Sequence, residues 1–189
     1  MSTMPLDARI EALLFVADEP VTLARMQDVL DCSEDEARRG LSQLESRLSD
    51  SSMMLAEIGG GFRLETKPEF ADDIREFLME SRKSRLSLAT LESLALIAYK
   101  QPITAVEIAE MRMVTSVGSI VKNLLEKKLI RMLGRRKVVG RPMMYGTTRD
   151  FLIHFGLNDL SELPSLEEFK KQHMDQVELA LEDQPQSEN

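Results

Sequence analysis

Tryptophan is absent from this chain, cysteine occurs once, and histidine and tyrosine occur twice each. Each scarcity excludes a class of function. A single cysteine, Cys32, cannot close an intramolecular disulfide and fits a reducing compartment. It has no nucleophile context and reads as a small buried apolar residue. The histidines, His154 and His173, stand outside any recognisable metal-ligand pattern, so no metal site is expected. Gly59-Gly60-Gly61 is followed by neither Lys-Ser nor Lys-Thr and lies between two predicted strands, which excludes a phosphate loop. No catalytic constellation is visible and no cofactor is expected. The longest apolar run, Leu94 to Tyr99, is far shorter than the roughly 20 residues that span a bilayer. The N-terminus lacks the basic-then-apolar order of a secretory signal. The expectation is a non-enzymatic cytoplasmic protein.

What is present is an ordinary globular composition with an unusual placement of charge. The chain has 189 residues, 43% of them hydrophobic, enough for one large or two small cores. Its net charge is -8, yet from Met111 to Arg149 there are ten Lys or Arg and one acid, Glu126. That stretch carries +9, leaving -17 for the remainder. Such asymmetry fits an electrostatic partner, an internal docking face or a solvated basic face.

Periodicity predicts a mainly α fold with small β-hairpins, arranged as two tandem winged helices. A first helix from about Asp7 to Ala17 carries Ile10, Leu13, Leu14 and Ala17, and Phe15 and Val16 widen the stripe, predicting burial nearly all round. Thr22 is placed to cap a second helix with Leu23, Met26, Val29 and Leu30 inward. Ser33-Glu34-Asp35-Glu36 is a capping box before a third helix with Ala37, Leu41, Leu44 and Leu48 on one face. Alternation from Met54 to Ile58 and from Phe62 to Thr66 predicts a hairpin. Pro68 opens a short helix to about Glu80, and Ser81–Arg85 reads as a boundary.

The same order then recurs. Leu91, Leu94, Ala95 and Ala98 share a helical stripe, and Pro102 stops it. Thr104 to Glu107 is a second capping box, with Ile108 and Met111 inward. Ser116 is placed to cap a helix carrying Val117, Ile120, Val121, Leu124, Leu125 and Leu129. Ile130–Leu133 and Met143–Thr147 are the expected wing strands. Pro20-Val21-Thr22 and Pro102-Ile103-Thr104 follow matching apolar helices, which points to a duplication. The expected domains are 1–80, 86–157 and an acidic segment, 158–189. After a short helix at Phe151–Phe155, a last amphipathic helix carries Leu166, Phe169, His173 and Val177, and the chain beyond Glu182 is too polar to order itself.

The basic cluster is the feature that could carry function directly. Lys122, Lys127, Lys128 and Arg131 lie on or beside the last helix of the second repeat, and Arg135, Arg136, Lys137 and Arg141 lie in its wing. These are the places from which a winged helix touches DNA. The helix offers only Asn123 to read bases, so sequence-specific readout is weak, and backbone binding or protein binding stays open.

Three stretches together resemble one family: Leu91 to Thr104, Leu124 to Ile130, and Gly140-Arg141-Pro142-Met143-Met144-Tyr145-Gly146-Thr147-Thr148. With Ala12–Val16, Gly60–Leu64 and Phe155–Pro164 they are similar to segregation and condensation protein B. The likeness runs from about Ile10 to Phe169, and departs from the family pattern at Val114–Gly118. It implies a non-enzymatic homodimer that binds the kleisin ScpA and, through it, an SMC ATPase, in the complex that condenses and segregates bacterial chromosomes during cell division. It implies dimerisation through the N-terminal unit, kleisin binding by the C-terminal unit and a nucleoid-associated place in the cytoplasm. Arg141, Pro142, Tyr145, Gly146 and Thr147 are the expected partner-binding residues, although the same motif could merely shape the wing. Lys122, Lys127, Lys128, Arg135, Arg136 and Lys137 are the candidates for weak DNA contact. The alternative function is a winged-helix DNA-binding transcriptional regulator.

Overall fold

The computed structural model describes residues 4–78 and 86–165. The basic connector Ser81–Arg85, the amphipathic segment near Phe169 and the acidic end lie outside the described residues. Contacts divide the chain into two units, Met1–Asp159 and Leu160–Asn189. In the second, the described residues, 160–165, hold one 3-10 turn, Leu160–Glu162.

The first unit begins with α1 (Leu6–Val16), α2 (Leu23–Leu30) and α3 (Glu34–Arg47), followed by the antiparallel pair β1 (Met53–Ile58) and β2 (Gly61–Thr66). Ile10 and Leu14 of α1, Met26 and Leu30 of α2, and Leu41 and Leu44 of α3 form one buried cluster, closed on the far side by half-buried Leu55, Phe62 and Leu64 of the hairpin. Each such buried side chain contributes roughly 1.5–3 kcal/mol. Ser33 Oγ accepts from the Glu36 N–H at 3.3 Å and the Glu36 carboxylate accepts from the Ser33 N–H at 2.9 Å, so α3 starts on the expected capping box.

Two expectations for this helical core are corrected. Phe15 is 82% exposed and Val16 74%, so α1 is not buried all round. Ile10 and Leu14 sit four apart and define the inward face; Phe15 and Val16 project from the other sides, where none of the described residues covers them. Val29 is likewise exposed, because Met26 and Leu30 hold the inward face of α2. After a 3-10 turn at Pro68–Phe70 comes α4 (Ala71–Phe77), whose Phe77 is exposed.

The order is then repeated: α5 (Leu88–Lys100), β3 (Ile103–Thr104), α6 (Ala105–Met111), α7 (Gly118–Glu126), β4 (Ile130–Arg135), β5 (Met143–Thr147) and α8 (Arg149–Phe155). The sheet order is β3-β5-β4, so a two-residue strand that periodicity did not predict sits on the outer side of the wing. The duplication is visible in the backbone. Val21 bridges Phe62 in the first winged helix, and Ile103 pairs with Tyr145 in the second. In each repeat the middle residue of Pro-x-Thr is buried and ties the helices to the hairpin.

The inward face of α5 is rotated from the expected stripe. Thr90, Ser93, Leu94, Ile97 and Ala98 are buried, while Leu91 and Ala95 are exposed. Buried Ser93 is satisfied from 19 residues on: the Arg112 guanidinium donates to Ser93 Oγ at 3.0 Å and, at the surface, to the Glu92 carboxylate at 2.8 Å. Met111 is exposed, so only Ile108 fills the inward place expected of that pair. Ser116 does not cap α7; its Oγ accepts from the Gly118 N–H at 3.2 Å, a local turn just ahead of the helix.

Candidate functional site

The wing of the second winged helix is built on one glutamine. Gln101 Oε1 accepts from the Thr147 N–H at 2.8 Å, and Gln101 Nε2 donates to Ala98 C=O at 3.1 Å and to Thr147 Oγ1 at 3.0 Å. One amide side chain therefore bolts the end of α5 to the wing strand β5. It passes over Gly146, where a Cβ would meet Gln101 Oε1 at 2.6 Å and Leu133 Cδ1 at 2.7 Å. Gly146 and Thr147 are buried, a placement that suits the wing-shaping role left open for this motif. They hold the central strand β5 in place, while Pro142 and Tyr145 are half-buried and Arg141 is exposed.

Arg141 is held with φ +40°, in the left-handed region that a non-glycine residue occupies at a cost of about 1–3 kcal/mol. Its N–H donates to Val138 C=O at 2.9 Å and its own carbonyl accepts from Arg135 Nη1 at 3.2 Å. That turn presents Val138 and Val139 at the tip, 52% and 102% exposed. An apolar tip fits a protein groove better than a phosphate backbone.

The basic cluster is less free than its count suggests. Arg136 is half-buried: its guanidinium is paired with the Glu107 carboxylate at 2.5 Å and donates to Pro102 C=O at 3.1 Å. An arginine held by an anion and a carbonyl is less readily offered to phosphate than the exposed cations beside it. Lys122 lies 3.8 Å from Glu126. Lys127, Lys128, Arg131, Arg135 and Lys137 are exposed.

Glu107 has two duties. It closes the capping box of α6 by accepting from the Thr104 N–H at 2.9 Å and Thr104 Oγ1 at 2.8 Å, and it pairs with Arg136. The Thr104 backbone and hydroxyl, and then Arg136, hold its carboxyl below the ordinary value of 4.5. A depressed carboxyl stabilises the fold above its unfolded pKa, and that contribution disappears as pH falls through the folded value. The side chain is a third exposed, so screening keeps the expected contribution to about 0.5–1 kcal/mol. Glu107→Gln should lower the melting temperature at neutral pH, and the two melting curves should converge as the pH drops below the ordinary carboxylate range. A constant gap down to strongly acidic pH would show that the carboxylate charge is not what matters.

On the first winged helix, α1, the end of α3 and the hairpin enclose an open groove of about 460 Å3 lined by Ala8, Ala12, Phe15, Leu48, Met53 and Leu64. Among the described residues no three His, Cys, Asp or Glu side chains come together as metal ligands would. No described helix is long and apolar enough to cross a membrane.

Sequence spacing missed Gln101, Arg112 and the outward pairing of Glu107, because each acts across 19 to 46 residues. The only signal for Gln101 was its place beside Pro102 in the stretch that carries the resemblance.

The chain is similar to known proteins along most of its length. The chain is 45% identical over 171 residues to segregation and condensation protein B of Syntrophotalea carbinolica, covering 89% of this chain and 86% of that one. It is 43% identical over 171 residues to the protein of the same name from Halalkalibacterium halodurans, with the same coverage. Among solved structures, ScpB from Mycobacterium tuberculosis is 30% identical, covers 80% of this chain and 95% of its own, and gives a TM-score of 0.38. A dimer of an ScpB N-terminal domain complexed with an ScpA peptide is 32% identical over 42% of this chain and 99% of its own, at a TM-score of 0.39. The family model described as segregation and condensation complex subunit ScpB matches residues 8–166, through both winged helices, Gln101 and the whole wing; the chain belongs to that family.

Proposed function

We propose that this chain is a non-catalytic scaffold that works as a homodimer, binds the kleisin ScpA and through it serves an SMC ATPase in chromosome condensation and segregation. The observation that carries the reading is an uncovered apolar face on each winged helix, beside an otherwise complete core. Phe15 and Val16 stand out from α1, 82% and 74% exposed, and Val138 and Val139 stand out from the wing. Exposed apolar patches of this kind fit protein partners, and family membership says which complex supplies them.

The functional division runs at 1–80 for dimerisation, through the α1 face and its groove, and at 86–157 for the kleisin, through Arg141, Pro142, Tyr145 and the wing tip. Gly146 and Thr147 support that face from inside. The acidic segment, 158–189, has no assigned role. The setting is the cytoplasm at the nucleoid, and turnover of ATP belongs to the partner. The regulator alternative fits less well, because the wing tip is apolar and Arg136 is already paired.

The test is co-purification with the kleisin from the same genome, sized by light scattering in moderate salt. Two copies of this chain per kleisin are expected. Val139→Glu should weaken kleisin binding by about 2 kcal/mol, roughly 30-fold, as expected for a central apolar anchor, and should leave the dimer intact. Phe15→Glu should weaken the dimer. Failure to form a complex, joined to duplex binding by the chain alone that collapses with added salt, would sink the scaffold and favour the regulator.

A further inference from the structure

The first hairpin turn and α8 lie about 90 residues apart in sequence, and they meet. Arg149 Nε donates to Gly59 C=O at 2.8 Å and its Nη2 donates to Pro20 C=O at 3.0 Å. In return Gly59 N–H donates to Leu157 C=O at 3.0 Å and Gly60 N–H donates to Asn158 Oδ1 at 2.9 Å. The turn suits this approach. Gly59 has φ +59°, and a Cβ there would lie 3.1 Å from Ile153 Cγ1 and 3.4 Å from Arg149 Cγ.

Arg149 is also the wrong residue for its local position. It opens α8, where the helix dipole favours an acid and disfavours a cation. A broken local rule of this kind points to a duty elsewhere. The other side of α8 is fastened to the second winged helix: Phe151 is 3% exposed, and the Thr148 N–H donates to Leu129 C=O at 3.2 Å.

We infer that α8 and the Leu157-Asn158 segment form a latch that couples the two winged helices, with Arg149 as its bolt and the Gly59-Gly60 turn as its keeper. The joint is polar and partly wet: the Arg149 side chain is 42% exposed, and that of Glu19, 3.9 Å away, is 78% exposed. Opening exchanges these hydrogen bonds for water without uncovering a core, so the latch can work reversibly between a one-body form and an open form. Closed, it fixes the α1 face and the wing tip in one orientation. Open, it lets each face follow its own partner. This inference stands whether or not the kleisin reading does.

The test uses the full chain carrying Cys32→Ser, with spin labels at Ser46→Cys and Ser119→Cys, both exposed. Mixed with a large excess of unlabelled chain, so that labelled copies rarely meet in one dimer, the parent should give one narrow inter-label distance. Arg149→Ala should broaden it with helix content unchanged. Asn158→Ala, at a position outside any helix, supplies the same test should α8 not survive loss of its arginine. Amide exchange at Gly60 should quicken by about tenfold or more in either variant. A distance that stays narrow in both variants, or is already broad in the parent, overturns the latch.

Discussion

Leu124→Ala should lower the unfolding free energy of the chain by about 2–5 kcal/mol. Leu124 lies in α7 with no exposed surface, in a second core that also holds Leu94, Ile97, Ile108 and Val121. That core is bounded by three helices and a small sheet. The void left by the missing atoms is therefore walled by elements that the Gln101 bolt and the Arg112 brace prevent from closing in. Cavities that cannot collapse give the upper part of the range. Urea unfolding followed by far-ultraviolet circular dichroism measures it. A loss under about 1 kcal/mol would mean that α7 relaxes into the space, and that the brace is weaker than its geometry implies.

Gly61→Ala is the second large effect, and it is a backbone effect. A Cβ at Gly61 would lie 2.9 Å from both the carbonyl carbon and the oxygen of Pro20. Those atoms cannot swing aside as a side-chain end can. Pro20 must move, and with it the paired bonds between Val21 and Phe62, each 2.8 Å. Overpacking costs about 1–3 kcal/mol, and each strained bridge bond adds about 1 kcal/mol. Gly146→Ala, in the wing strand of the second repeat, is the comparison change. It should cost less, because the colliding atoms are the ends of Gln101 and Leu133 side chains. The comparison is made by melting both variants side by side. Equal losses would show that the Pro20 backbone is more yielding than a bridged strand should be.

The helices, both capping boxes and the two wings were legible because their determinants lie within a few residues of each other. Ser33 finds Glu36 and Thr104 finds Glu107 at a spacing that helix geometry dictates. Exposure was harder to read. Phe15, Val16, Val29 and Met111 are apolar and sit on helices, so a periodic reading turns them inward. Whether such a residue is covered depends on surfaces that local spacing does not encode. The face of α5 went astray for a related reason: Ser93 and Thr90 can be buried because a distant arginine and the Ser87 cap satisfy them. Charge was legible as a count and not as a partner list. Arg136 belongs to the basic run in sequence and to Glu107 in space. Gly146 and Thr147 lie in the stretch that carries the resemblance, and Gln101 makes them its foundation.

The aromatic scarcity has an optical consequence. With no tryptophan, the near-ultraviolet absorption and emission of the chain belong chiefly to its two tyrosines, Tyr99 and Tyr145. Both are half-buried and both lie in the second winged helix, one on α5 and one in the wing strand between Ile103 and Met132. The molecule thus carries a built-in lamp on one of its two halves. A partner free of aromatic residues that settles on the wing alters the phenol emission directly, one confined to the α1 face leaves it unchanged, and the two faces can be told apart without attaching a dye.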